Sequence, residues 1–123
     1  MLLSLMTNYS DPLSPAFHAL ADPTRRAVLA RLAEGAATVS ELAAPHGMAL
    51  PTFLQHLRIL EGGGLIATEK QGRSRQCRLN PARVAEVEGW LGHQRRLWEA
   101  RTDRLQGFLE SGADLDDGPN WKG

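Results

Sequence analysis

Apolar residues recur at three- and four-residue intervals along most of the chain, and this spacing predicts five helices. Ser14 and Pro15 form a start signal for a first helix, Pro15 to Ala21, with Phe17 and Leu20 on one side. Asp22 and Pro23 repeat that signal. They open a second helix that runs to about Glu34 and closes at Gly35, with Val28, Leu29 and Leu32 as its apolar stripe and Arg25, Arg26 and Arg31 elsewhere. Thr38 and Glu41 have capping-box spacing and begin a short helix, Val39 to Ala44, that ends at Pro45, with His46 and Gly47 as the turn. The fourth helix starts near Pro51. Phe53, Leu57 and Leu60 make its buried face, Gln55 and Arg58 point the opposite way, Thr52 and His56 lie on the flank, and Gly62, Gly63 and Gly64 stop it.

The pattern then shortens. Leu65 to Lys70 and Arg75 to Leu79 read as two strands around a Gln71–Ser74 tip. Two helices joined by a tight glycine-containing turn make a helix-turn-helix, and a hairpin directly after the second helix is a wing. Asn80 and Pro81 open a long last helix that reaches about Leu109. Val84, Leu91, Trp98 and Leu105 are seven residues apart on it. Val87 and Phe108 lie in a companion row interrupted by Gln94 and Arg101. That seam exceeds what so small a domain needs internally, so it is assigned to dimerisation. The expected fold is mainly α with a small β-hairpin: a dimeric winged helix-turn-helix of five helices and a two-stranded wing over 14–110. Residues 1–13 are expected as a flexible arm and 111–123 as a disordered acidic tail.

Composition adds limits. The chain has 123 residues, 42% of them hydrophobic and 23% charged, which suits one soluble domain. No apolar run reaches membrane-spanning length, the MLLSLM start lacks a basic leader region, and one cysteine excludes an internal disulfide, so a cytoplasmic home is expected. Net charge is zero, yet between Ala49 and Leu79 five basic residues (Arg58, Lys70, Arg73, Arg75, Arg78) face two acidic ones, leaving +3. Local charge, not the total, sets phosphate affinity. Much of the compensating acid lies at Glu110, Asp114, Asp116 and Asp117.

The segments FHALADPTRRAVLARL, TVSELA, MALPTFLQHLRILEGGGLI and CRLNP, in that order, resemble the ArsR-type winged-helix transcriptional repressors over about 16–109. They are most similar to a branch with an ADPTRR start and His56-Leu57, Leu60 and Gly64-Leu65 as its core motif. The resemblance implies a homodimer on a pseudo-palindromic operator, with dimer contacts from the first and last helices, and members often repress their own operon. Ala49 stands where the family usually has a capping residue, Leu54 where relatives carry serine, and Gly62-Gly63 makes the helix end softer than usual. Metal-sensing members carry cysteines before the turn or acidic and histidine ligands on the last helix. Here the first position has no cysteine, and His93 and Asp103 lack ligand spacing, so no metal site and no cofactor are expected.

The candidate DNA contacts are therefore Thr52, Leu54, Gln55, His56 and Arg58 on the helix, with Lys70, Arg73 and Arg75 on the wing. His56 is equally compatible with packing. The candidate dimer residues are Phe17, Leu20, Val84, Val87, Leu91, Trp98 and Leu105. Cys77 reads either as an ordinary strand cysteine or as a redox thiol activated by Arg75 and Arg78. Trp90 and Trp98 are read as core or interface before ligand pocket. No Ser/His/Asp order, paired-carboxylate site, GxGxxG or phosphate-binding loop appears, so no enzyme is expected. The leading function is a sequence-specific DNA-binding regulator, a homodimeric repressor with double-stranded DNA as partner. The alternatives are a winged-helix dimer that has lost DNA binding and serves protein contacts, and a regulator responsive to a thiol signal or to an unidentified small-molecule effector.

Overall fold

A computed structural model describes residues 11–111. Five α-helices and three strands follow one another: α1 Leu13–Leu20, α2 Pro23–Leu32, β1 Ala37–Thr38, α3 Val39–Ala43, α4 Leu50–Gly62, β2 Ile66–Gln71, β3 Ser74–Leu79 and α5 Pro81–Glu110. The expected arm and tail lie outside the described residues at 1–10 and 112–123. At the arm's near end, helix already begins at Leu13 rather than after it. The chain divides into two compact units after Glu88.

The first unit holds the core. Val28 and Leu32 of α2, Leu42 of α3, Phe53, Leu57 and Leu60 of α4, and Leu65, Ile66 and Cys77 around the sheet are all buried. On α1 the buried residues are Ala16 and Ala19, while Phe17 and Leu20 are only partly covered. An alanine face lets the α1 backbone approach closely. A Cβ built on Gly63 would come within 2.9 Å of the Pro15 carbonyl oxygen and 3.1 Å of the Ala16 Cα. Gly63 is therefore a packing requirement rather than part of a soft end. Gly64, at φ 76°, turns the chain into β2. Its carbonyl accepts from Asn80 Nδ2 at 2.8 Å, and the Gly63 carbonyl accepts from Arg83 at 3.0 Å.

Three expectations about local structure change. Ser14 does not cap α1; Pro12 occupies that position, and Asp11 accepts from the Leu13 N–H at 3.0 Å and from the Ser14 hydroxyl at 2.6 Å. Pro45 does not end the turn of α3 outright but sits inside a 3-10 turn, Ala44–His46, because proline lacks only a donor that this short turn does not need. The sheet has three strands, in the order β1-β3-β2, all antiparallel, not two. Ala37 pairs with Cys77 and Thr38 with Gln76, so β3 is the central strand. A two-residue strand has no periodicity to read in a sequence.

Other local signals hold. Thr38 and Glu41 form the reciprocal capping box. Asp22 caps α2 by accepting from the Arg25 N–H at 3.1 Å. The hairpin closes with Gln71 opposite Ser74, and Gly72 takes φ 62° at the tip while Arg73 does not take a positive φ, the arrangement of a two-residue turn with glycine first.

The second unit, from Gly89 on, contains the rest of α5. Trp90, Leu91, Leu97, Trp98, Phe108 and Leu109 are each 40–54% exposed there, and Leu105 is half-buried. At helical spacing these residues share one broad side, interrupted by Gln94 and Arg101.

Candidate nucleic-acid interface

The outward surface of α4 follows from its helical period. With Phe53, Leu57 and Leu60 turned into the core, Thr52, Gln55 and Arg58 come out exposed. Leu54 and His56 sit on opposite flanks, each partly covered. Leu50 stands 54% exposed at the start of the helix. Ala49 holds the extended geometry of a cap, φ −61° and ψ 144°, without a side chain that could fill the role. The helix and its preceding turn are joined by His46, whose ring stacks on Phe53 at 5.6 Å.

The wing lies on the Leu54 flank. Leu54 lines an open groove of about 500 Å³ with Thr38, Ser40, Arg73, Ser74 and Arg75. The five basic residues behind the local +3 are not equivalent. Arg78 pairs with Glu69 at 3.3 Å across the strands. Arg75 donates to the Thr68 hydroxyl at 2.9 Å, and that hydroxyl donates to Glu61 of α4 at 3.2 Å. Arg58, Lys70 and Arg73 are exposed and have no such partner among the described residues. Lys70 also stands directly opposite Arg75 in the β2–β3 register. Like charges at facing positions destabilise a hairpin, and an anion placed between them removes that repulsion. Lys70, Arg73 and Arg75 thus concentrate positive charge at the tip of the wing.

His56 and Arg25 make a cluster that the sequence reading did not assemble. Arg25 is 7% exposed, the only charged residue in the described core. Its Nε donates to the Ala19 carbonyl at 2.8 Å, its Nη2 to the His18 carbonyl at 3.2 Å, and its Nη1 meets His56 Nδ1 at 3.0 Å. The Asp22 carboxylate lies 3.8 Å from the same imidazole nitrogen. Burial raises the Asp22 pKa, but the hydrogen bonds from the Arg25 and Thr24 N–H groups and the nearby Arg25 guanidinium help hold it below the usual carboxylate value. Arg26 adds a bond to the Leu20 carbonyl at 2.8 Å. These two arginines satisfy the Ala19 and Leu20 carbonyls at the end of α1, while the His18 carbonyl also accepts from the Ala21 N–H at 3.1 Å. Arg25, placed off the apolar stripe by its sequence position, is therefore a core residue. The one sequence signal for it is the adjacent Arg25-Arg26 pair after a helix start.

Cys77 fits the ordinary strand cysteine of its two readings. It is fully buried in the central strand, between β1 and β2. Burial, with Glu61 adding to it, raises the thiol pKa above its ordinary value despite Arg75. A raised pKa and no exposure are opposite to what a reactive redox thiol requires.

The candidate dimer residues separate into two groups. Val87 is 6% exposed and fills the core of the first unit, so it is not surface available to a partner. The reason is that the first turns of α5 pack beside Leu29, Leu65 and Leu79. Phe17, Leu20 and Val84 are partly buried around the same region, and Leu20 and Val84 line an apolar hollow of about 270 Å³. Leu91 and Trp98 are exposed in the second unit, where Leu97 and Leu109 extend the stripe beyond the rows read from sequence. Among the described residues no group of three or more His, Cys, Asp or Glu side chains could hold a metal ion. No described helix is long and apolar enough to cross a membrane.

Comparison with known proteins gives a consistent result. Residues 20–69 match the family described as "Helix-turn-helix domain". The chain is 39% identical over 105 residues to the HTH-type transcriptional regulator Rv2034 of Mycobacterium tuberculosis, covering 85% of this chain and 92% of that protein. It is 28% identical over 79 residues to the transcriptional repressor SdpR of Bacillus subtilis, covering 64% of this chain and 88% of that one. The crystal structure of an ArsR family transcriptional regulator superimposes with a TM-score of 0.69 at 55% identity, over 72% of this chain and 98% of that one.

Proposed function

Since the chain belongs to the ArsR family of helix-turn-helix transcriptional regulators, we propose that it acts as a homodimeric repressor that reads a pseudo-palindromic operator with α4. The observation that carries this reading is the exposed strip Thr52, Gln55 and Arg58 on α4, set beside a wing whose Lys70 and Arg73 have no partner among the described residues. Gln55 and Arg58 would read base edges in the major groove, with Leu54 at its side, and Lys70, Arg73 and Arg75 would hold phosphate. The exposed stripe of α5, from Trp90 to Leu109, is a surface that would cover a second copy, and within the first unit Phe17, Leu20 and Val84 are separate candidates for dimer contact. Two such subunits would place their α4 helices about one DNA turn, ~34 Å, apart. Regulation of its own promoter, and membership of the branch that senses no metal, complete the proposal. The second rests on the sequence of α3, VSELA, which carries no cysteine.

The test is a random-sequence selection with the purified protein, followed by fluorescence anisotropy on the selected duplex at several salt concentrations. Affinity should fall as salt rises. Arg58→Ala should weaken specific binding by about 1–3 kcal/mol, and loss of Lys70 or Arg73 should lower the salt slope by about one. An Arg58→Ala protein that binds the selected site as tightly as wild type removes Arg58 from the interface. A second reading, a protein-interaction dimer, is favoured by the uncapped Ala49 and the exposed Leu50. It predicts a selection that enriches nothing and a flat salt response.

A further inference from the structure

We propose that Arg25 is a positioning residue for DNA binding: its buried guanidinium fixes the His56 imidazole so that Nε2–H is offered to one DNA phosphate beside α4. This deepens the DNA-binding proposal and rests on it. The reasoning starts from valence. A guanidinium has donors and no acceptor, so the 3.0 Å contact between Arg25 Nη1 and His56 Nδ1 requires a lone pair on Nδ1. The proton of the neutral ring is then on Nε2. The other donors of Arg25 are anchored on the His18 and Ala19 carbonyls, so the guanidinium cannot turn away without leaving the end of α1 unsatisfied.

The His56 side chain is 17% exposed, and Nε2 is its ring nitrogen without a protein partner among the described residues. Among the described residues no buried side-chain nitrogen or oxygen lacks a partner, and no described side chain or carbonyl accepts from this atom. His56 lies one turn after Thr52 and next to Gln55, on the flank of α4 away from the wing groove. A helix about 10–12 Å across in a groove about 12 Å wide meets the phosphate walls with its flanks and the base edges with its outward face. The acceptor facing Nε2–H is therefore a phosphate oxygen. Arg25 never touches DNA in this arrangement. It acts through His56, and links the end of α1 to the DNA-reading helix.

Two experiments test this. A long-range proton–nitrogen correlation spectrum of the free protein should show His56 as the Nε2–H tautomer, and Arg25→Lys, which cannot hold all three acceptors, should lose that preference. Anisotropy on the selected duplex, with one methylphosphonate at a time, should reveal a single position at which wild type weakens and His56→Asn does not. Asparagine keeps an acceptor near the Nδ1 position for Arg25 but has no donor at the Nε2 position. On unmodified duplex His56→Asn should bind roughly tenfold more weakly, the scale of one hydrogen bond to a charged group, with unchanged thermal unfolding. Arg25→Lys should weaken wild type but add nothing in the His56→Asn background. An Nδ1–H tautomer, full affinity of His56→Asn, or additive losses in the double variant would overturn the proposal. If wild type binds no selected DNA, both proposals fall; if wild type binds and only these variants behave otherwise, this one falls alone.

Discussion

Gly62 and Gly63 are adjacent, both near the end of α4, and alanine at the two positions should have opposite effects. At Gly62 a Cβ meets nothing within 4 Å, and the residue is helical. Gly62→Ala should therefore stabilise by about 0.5–1 kcal/mol, because glycine loses more backbone entropy on folding than alanine does. At Gly63 the backbone, φ −80° and ψ −2°, accepts alanine equally well. The same conformational gain is available there, but the Cβ would stand 2.9 Å from Pro15 O, 3.1 Å from Ala16 Cα and 3.2 Å from Pro15 C. All three are backbone atoms of α1, so no side chain can swing aside. Overpacking of this kind costs about 1–3 kcal/mol, which leaves Gly63→Ala destabilised by up to about 2.5 kcal/mol after the conformational gain. The shared gain cancels, so the two variants should differ by the overpacking cost itself, about 1–3 kcal/mol, equivalent to roughly 4–15 °C in Tm for a domain of this size. Urea and thermal unfolding followed by circular dichroism read this directly. A Gly63→Ala protein as stable as Gly62→Ala would refute the close approach of α1 and α4.

Other predictions concern caps, acid and the thiol. Ala49 already has the backbone of an N-cap, so Ala49→Ser should stabilise α4 by about 1 kcal/mol, visible as a shift of the urea midpoint; no shift would mean that its extended geometry is not a cap. Asp11, held low mainly by the Ser14 hydroxyl, and Glu41, held low mainly by the Thr38 N–H, have pKa values below their ordinary ones, as does Asp22. A carboxylate lowered on folding contributes stability that is complete above its unfolded value, about 4, and lost as pH falls through its folded value. The urea midpoint should therefore fall below about pH 4 and show no pH dependence from these three groups between about pH 5 and 8; a midpoint that holds steady down to about pH 2 would contradict it. Buried Cys77, its pKa raised, should react with a maleimide only as fast as the protein opens, and mild peroxide should leave DNA affinity intact. Rapid labelling of the native protein together with loss of DNA binding would restore the redox reading.

The sequence by itself determined what depends on residues within a few positions of one another. The capping box at Thr38 and Glu41, the Asp22 cap before Pro23, the glycine turn of the wing and the buried stripe of α4 are each set by local hydrogen bonds or helical period. Because the inward stripe of α4 was legible, so was its outward face with Gln55 and Arg58. The family resemblance was carried by these same segments. Tertiary structure decided what depends on residues far apart. Ala37 and Thr38 become a strand only because β3 lies beside them, and that third strand is what buries Cys77. Ala16 and Ala19, rather than Phe17, face inward because α1 must approach Gly63. Val87 fills the core because α5 starts against Leu29, Leu65 and Leu79. Arg25 is the sharpest case. A charged residue in a helix reads as solvated, and only the convergence of two carbonyls of α1 and an imidazole of α4, 31 residues away, provides the acceptors that let a guanidinium be buried.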